Sequence, residues 1–115
     1  MIQLINRYIY VFCIIGMIYA DNGINSKDYS NMINFAIQLR NSQDFTNAIL
    51  EYKRINSFYP ENKFYNNNLH SISLCYFKNE QYLESINNSI ILLNAKYNDW
   101  QSIINIIRSY KRINY

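Results

Sequence analysis

The chain predicts an all-α fold built as an array of helical hairpins, and three observations predict it. The trio Phe45, Ala48 and Ile49 returns as Tyr82, Ser85 and Ile86, a spacing of thirty-seven residues. Self-similarity at roughly 34 to 40 residues is the mark of a helical repeat array. Beyond residue 20 there is one glycine, Gly23, and one proline, Pro60, whereas strands in so small a domain need far more turn chemistry. Between these breakers the apolar residues fall at helical spacing.

The elements follow in order. Residues 1–20 carry one charge, Arg7, and then the apolar run Tyr8 to Ala20, with polar residues starting at Asp21. A basic start, a short apolar run and a small residue before a polar switch predict a secretory signal peptide cleaved after Ala20. The run is shorter than the roughly 20 residues of a membrane-crossing helix. An uncleaved anchor and a buried N-terminal helix are the alternatives. Cys13 does not suit a lipid attachment site, because Phe12 stands where a small residue is needed. Residues 21–28 form a polar lead-in.

A first helix is expected over about 30–41, with Met32, Phe35, Ala36 and Leu39 on its apolar stripe. Asp44 follows the turn as a candidate N-cap. The second helix spans about 45–58 through Phe45, Ala48, Ile49, Tyr52 and Ile55, and stops before Pro60, which bars helical angles at the preceding residue. A third covers about 65–78 with Leu69, Ile72, Ser73 and Tyr76. A fourth covers about 82–95 with Tyr82, Ile86, Ile90 and Leu93. The fifth, capped by Asn98 or Asp99, carries Ile103, Ile106, Ile107 and Tyr110 at amphipathic spacing. Its closing cations, Arg108, Lys111 and Arg112, complement the helix dipole. Short connections make these helices antiparallel neighbours.

These residues resemble the tetratricopeptide repeat, a unit of roughly 34 residues in two helices. Residues 29–62 match it in full register through Met32, Phe35, Ala36, Leu39, Phe45, Ala48, Tyr52, Ile55 and Pro60. Residues 66–99 match through Leu69, Ile72, Ser73, Tyr76, Tyr82, Ser85 and Leu92, with Tyr97 in place of the proline. Ser85 and Ser89 replace an alanine and an aromatic. Lys63-Phe64-Tyr65 is an insert between the units, and it accounts for the longer period. Residues 100–115 look like the first helix of a third unit, with Ile107 where a small residue is usual, and act as a terminal cap. The resemblance thus implies about two and a half repeats over residues 29–115. The stretch Tyr52 to Tyr65 followed by Tyr76 to Tyr82, with its tyrosine–proline pair Tyr59-Pro60 and short polar insert, looks loosely like bacterial envelope members of the outer-membrane assembly and Tol-Pal type. With the signal peptide, this implies a secreted or periplasmic protein.

The family's geometry implies a partner-binding concave face on the first helices. Here that face comprises Ile33, Ile37, Arg40 and Asn41, then His70, Leu74, Phe77 and Lys78, and finally Ile104, Arg108, Lys111 and Arg112. Apolar residues rimmed by cations suit an apolar, partly acidic peptide. The implied function is an exported scaffold for protein–protein interaction. Self-association, with the incomplete third unit pairing with a neighbouring chain, is the structural alternative. A membrane-surface role for residues 99–115, with Trp100 at the interface, is another.

Other classes find little support. The chain without residues 1–20 carries ten Lys and Arg against eight Asp and Glu, scattered, which argues against nucleic acid. No catalytic motif or phosphate-cradling loop is present, so no enzyme activity and no cofactor are expected. Cys75 and His70 are five residues apart and point to different sides of a helix. His70 has no second ligand at metal spacing. If residues 1–20 are removed, Cys75 is the only thiol and reads as a small core residue. Asn87-Asn88-Ser89 is formally a glycosylation sequon, but it lies within a helix. The abundance of Asn, Ile and Tyr is ascribed to an AT-rich genome, with no role assigned to the asparagines.

Overall fold

The structure is a computed structural model that describes residues 26–97 and 99–114. The expected signal segment and most of the lead-in lie outside the described residues. Among those described, the chain forms five helices and no strand: α1 (Ser26–Asn41), α2 (Phe45–Phe58), α3 (Tyr65–Lys78), α4 (Tyr82–Asn94) and α5 (Asp99–Ile113). Each helix packs on its chain neighbours, and α3 also touches α5. The chain is all-α. The second and third helices have the expected bounds, whereas α1 begins four residues early. Its added turn is polar, and Asp28 within it favours the positive end of the helix dipole.

The core centres on α1–α3. Ala36, Ala48, Ile49, Tyr52, Ile55, Ile72, Cys75 and Tyr76 form one buried cluster, edged by half-buried Met32, Leu39, Phe45 and Leu69. Ala36 and Ala48 are fully buried and small, which lets α1 and α2 approach closely. Lys53 on α2 donates to the Tyr76 hydroxyl on α3 at 2.6 Å while its ammonium lies over the Tyr76 ring. Phe35 was expected in this core but is about half exposed. Ala36, next to it, takes the inward position.

Three helix ends share one turn geometry. After α1, the Asp44 amide bonds the Leu39 carbonyl and the Gln43 amide bonds the Arg40 carbonyl. After α3, Gln81 bonds Tyr76 and Glu80 bonds Phe77; after α4, Tyr97 bonds Leu92 and Lys96 bonds Leu93. This is the Schellman pairing, which requires a left-handed residue one position beyond the cap. Gln43, Glu80 and Lys96 hold that position with φ of 64°, 62° and 55°. Gln43 and Glu80 stand thirty-seven residues apart, so the period visible in the side chains recurs in the backbone. The expected capping role of Asp44 is not seen. Its carboxylate accepts from the Asn47 side chain at 2.8 Å and caps no backbone amide.

The insert between α2 and α3 is organised by three buried asparagines. Asn56 accepts from the side-chain amides of both Asn62 and Asn68 at 3.3 and 3.0 Å, and donates to the Tyr65 carbonyl at 3.1 Å. Asn62 accepts from the Phe64 amide at 2.9 Å. Phe64 and Tyr59 both pack against the Tyr29 ring of α1. The Tyr65 carbonyl and the Phe64 amide of this connection therefore find side-chain partners, while Pro60, Glu61 and Lys63 stay exposed.

The other end of the array inverts expectation. The buried residues of α5 are Ser102, Asn105 and Ser109, whereas Ile103, Ile107 and Tyr110 are 43%, 49% and 52% exposed. On α4, Ile90 is also exposed and Leu92, Ser85 and Ser89 are buried in its stead. The expected apolar seam between α4 and α5 is replaced by a small polar one. The Asn105 side-chain amide donates to the hydroxyls of Ser73, Ser85 and Ser89 at 2.7, 2.8 and 2.8 Å. Ser73 and Ser85 each donate to the other's backbone carbonyl, at 3.0 and 2.8 Å. The physical reason lies in size. Serines on both helices let the backbones come close, and one amide long enough to reach all three hydroxyls satisfies them.

Candidate interaction groove

α3 and α5 stand side by side, and the furrow between them forms a cleft of about 230 Å³. His70 and Leu74 line it from α3, and Gln101, Ile104, Asn105 and Arg108 line it from α5. His70 and Leu74 lie one turn apart, as do Ile104 and Arg108, so each helix offers an apolar side chain and at least one nitrogen-bearing side chain to the same space. Asn105 joins this cleft to the buried serine cluster, so the position of α5 and the width of the furrow depend on the same side chain.

Of the expected face, His70, Leu74, Ile104 and Arg108 are brought together on this cleft. The remaining residues of the expected face are not. Ile33 and Ile37 pack as half-buried side chains on the α1–α3 core, so their apolar surface is largely used within the fold. Arg40 donates to the Ser71 hydroxyl across α1 and α3 at 3.4 Å. Phe77 meets Tyr82 edge-to-face, with ring centres 5.5 Å apart, and so braces the α3–α4 turn. Asn41, Lys78, Lys111 and Arg112 are exposed beyond the cleft.

Charge in the cleft is simple. Burial, followed by the nearby Arg40 charge, lowers the pKa of His70 below its ordinary value, so the imidazole is mainly neutral at pH 7. Arg108 then supplies the cleft's positive charge, and it makes no ion pair among the described residues. Burial raises the pKa of the Cys75 thiol, with the Arg40 and Lys78 charges opposing. Cys75 is fully buried and takes no part in the cleft. Among the described residues no cluster of His, Cys, Asp and Glu could hold a metal ion. No helix among them is long and apolar enough to cross a membrane.

Sequence reasoning missed Gln101 and Asn105. Asn105 was passed over because the asparagines were ascribed to genome composition. A usable signal was present: Ser102, Asn105 and Ser109 recur at i, i+3 and i+7, which places three small or hydrogen-bonding residues on one side of α5.

No protein-family model, no curated protein and no solved structure matches this chain.

Proposed function

We propose that this chain is a tetratricopeptide-like scaffold that captures an extended segment of another protein in the furrow between α3 and α5. The observation that carries the reading is the convergence of His70, Leu74, Ile104 and Arg108 on one cleft. Leu74 and Ile104 provide apolar contact, Arg108 provides a charge for an acidic residue, and the neutral His70 provides a hydrogen-bonding edge. The occupant is an apolar, partly acidic peptide. No step of bond making or breaking is involved, and the chain acts by binding alone.

The apolar run of residues 8–20 supports export, with action in the cell envelope or outside it. Intact-mass measurement of the exported protein checks this, with loss of residues 1–20 the expected result.

Binding is tested with an array of short peptides of varied charge and apolar content, read by fluorescence. Peptides joining an aliphatic or aromatic residue to Asp or Glu are expected to bind. Arg108→Glu is expected to shift preference toward basic peptides, and Ile104→Lys to abolish binding. Circular dichroism establishes that both variants keep their helices. An array without enrichment, or one unchanged by both substitutions, would reject the groove.

A further inference from the structure

The outward face of α5 is a second surface, separate from the cleft. Trp100 is 73% exposed, and Ile103, Ile107, Tyr110 and Ile113 are each between 43% and 52% exposed. Their spacing matters more than their exposure. Trp100, Ile103, Ile107 and Tyr110 follow one another at three, four and three residues, the a and d rhythm of a helix that pairs with another helix. Ile106 and Ile113 flank this seam on one side. The opposite side of α5, Ser102, Asn105 and Ser109, is the one turned to the body of the protein. The helix thus packs inward by its small polar side and carries a pairing seam outward.

We propose that this seam is a self-association surface, on which α5 of a second copy of the chain lies antiparallel. Two features select that occupant. The seam is self-complementary about a two-fold axis between Ile106 and Ile107. Such an axis sets Trp100 against Ile113, Ile103 against Tyr110, and Ile106 against Ile107, so every large apolar residue meets another. The charges also fit one orientation. The only carboxylate on α5 is Asp99 at its start, while Arg108, Lys111 and Arg112 occupy its last turns. Antiparallel pairing brings Asp99 toward the partner's cationic end and opposes the helix dipoles, whereas parallel pairing stacks cation on cation. Gln101, Ile104 and Arg108 lie on a different side of α5, so the inference does not rest on the peptide-binding reading.

Sedimentation equilibrium of the full chain tests the proposal, in a Cys13→Ser background that leaves buried Cys75 as the sole native thiol. A monomer–dimer equilibrium is expected. Ile107→Glu, at the axis, is expected to weaken it by at least about ten-fold. Asp99→Lys and the pair Lys111→Glu with Arg112→Glu are each expected to weaken it by a few-fold, and their combination to restore it.

Oxidative cross-linking fixes the orientation. Ile107→Cys is expected to give a disulfide-linked dimer. Trp100→Cys is expected to give none, because antiparallel helices hold its two copies roughly 20 Å apart by helix rise, against about 4.4–6.8 Å for a disulfide. A strict monomer near millimolar concentration would overturn the inference. So would association unchanged by Ile107→Glu, or a cross-link through Trp100→Cys. Partitioning of a monomer onto anionic phosphatidylserine vesicles, lost in Trp100→Ala, would overturn it in favour of a membrane surface.

Discussion

Asn105 is the point at which the fold's last helix is most easily undone. Its side-chain amide reaches Ser73, Ser85 and Ser89 at 2.7 to 2.8 Å, with all four residues buried. An amide carries two protons, so three such contacts amount to two full hydrogen bonds shared among three acceptors. At about 0.5–1.5 kcal/mol net for each bond, their loss in Asn105→Ala costs about 1–3 kcal/mol. The void left by the amide adds to this, which places the expected destabilisation at about 2–3 kcal/mol. The serine hydroxyls keep other partners, since Ser73 and Ser89 bond one another at 2.7 Å and Ser85 donates to the Ser73 carbonyl. No donor is orphaned, and the cost stays in that range.

Asn105→Leu is a sharper probe. It keeps the volume but sets an apolar branch against three hydroxyls, and the expected cost rises to about 3–4 kcal/mol. Adding Ser73→Ala, Ser85→Ala and Ser89→Ala to that background removes the mismatch. Replacing both sides of a buried polar contact by apolar groups is nearly neutral, so the quadruple variant is expected within about 1 kcal/mol of the parent. Urea unfolding followed by far-ultraviolet circular dichroism measures all three, and Asn105→Ala is expected to lower Tm by about 10 °C. The reasoning is refuted if Asn105→Ala costs under about 0.5 kcal/mol, or if the quadruple variant is no more stable than Asn105→Leu.

Three further outcomes are expected. At the left-handed positions Gln43 and Glu80, the steric cost of a side chain exceeds the extra freedom that glycine brings to the unfolded chain. Gln43→Gly and Glu80→Gly should therefore each stabilise by about 0.5 kcal/mol in the same urea assay, and a loss of stability would contradict the turn assignment. His70 has a lowered folded-state pKa, so the unfolded chain binds more protons between that value and its ordinary pKa. Its contribution is present above about pH 6.5 and is lost as pH falls through the interval below; the decline from about pH 7.5 to 5.5 should shrink in His70→Gln. Cys75 is fully buried with its thiol pKa raised by burial. In the Cys13→Ser background a disulfide reagent should therefore label it at the rate of unfolding, and prompt labelling of the folded chain would exclude its core position.

The helices were legible because their evidence is local. Pro60 and the apolar stripe of Phe45, Ala48, Tyr52 and Ile55 bound α2 without reference to anything distant, and α3 was read in the same way. The turns were less legible. Left-handed cap positions are normally announced by glycine, and here Gln, Glu and Lys occupy them, held by two backbone bonds each. The insert at residues 63–65 was visible as an interruption, but its structure depends on Asn56, Asn62 and Asn68 meeting across twelve residues. Composition alone cannot distinguish an asparagine that serves such a purpose from one that does not. Four of the six cleft residues, His70, Leu74, Ile104 and Arg108, were named from the sequence, and Gln101 and Asn105 were not. His70 and Leu74 follow from the register of α3, whereas the contribution of α5 depends on which of its sides turns inward.

That orientation is where amphipathic reasoning fails for a physical cause. A pattern of Ile103, Ile106, Ile107 and Tyr110 states that one side of α5 avoids water; it does not state which surface relieves it. The neighbouring surface here is α4 with α3 behind it, and its contact positions are Ser85, Ser89 and Ser73. An isoleucine seam laid on the three hydroxyls would forfeit the bonds that Asn105 donates to them, about 1–3 kcal/mol in all. The polar side therefore wins the inward position, and Ile103, Ile107 and Tyr110 remain partly in water. Substituting Ser73, Ser85 and Ser89 by alanine while keeping Asn105 would reverse that balance, because the buried amide would lose its acceptors and the surface would become apolar. α5 is then expected to roll its isoleucines inward, with loss of the cleft beside Arg108 and of self-association in one step. Tryptophan fluorescence of Trp100 reports the roll. Unchanged emission, with the furrow still open to peptide, would show that the serine cluster does not decide how α5 is seated.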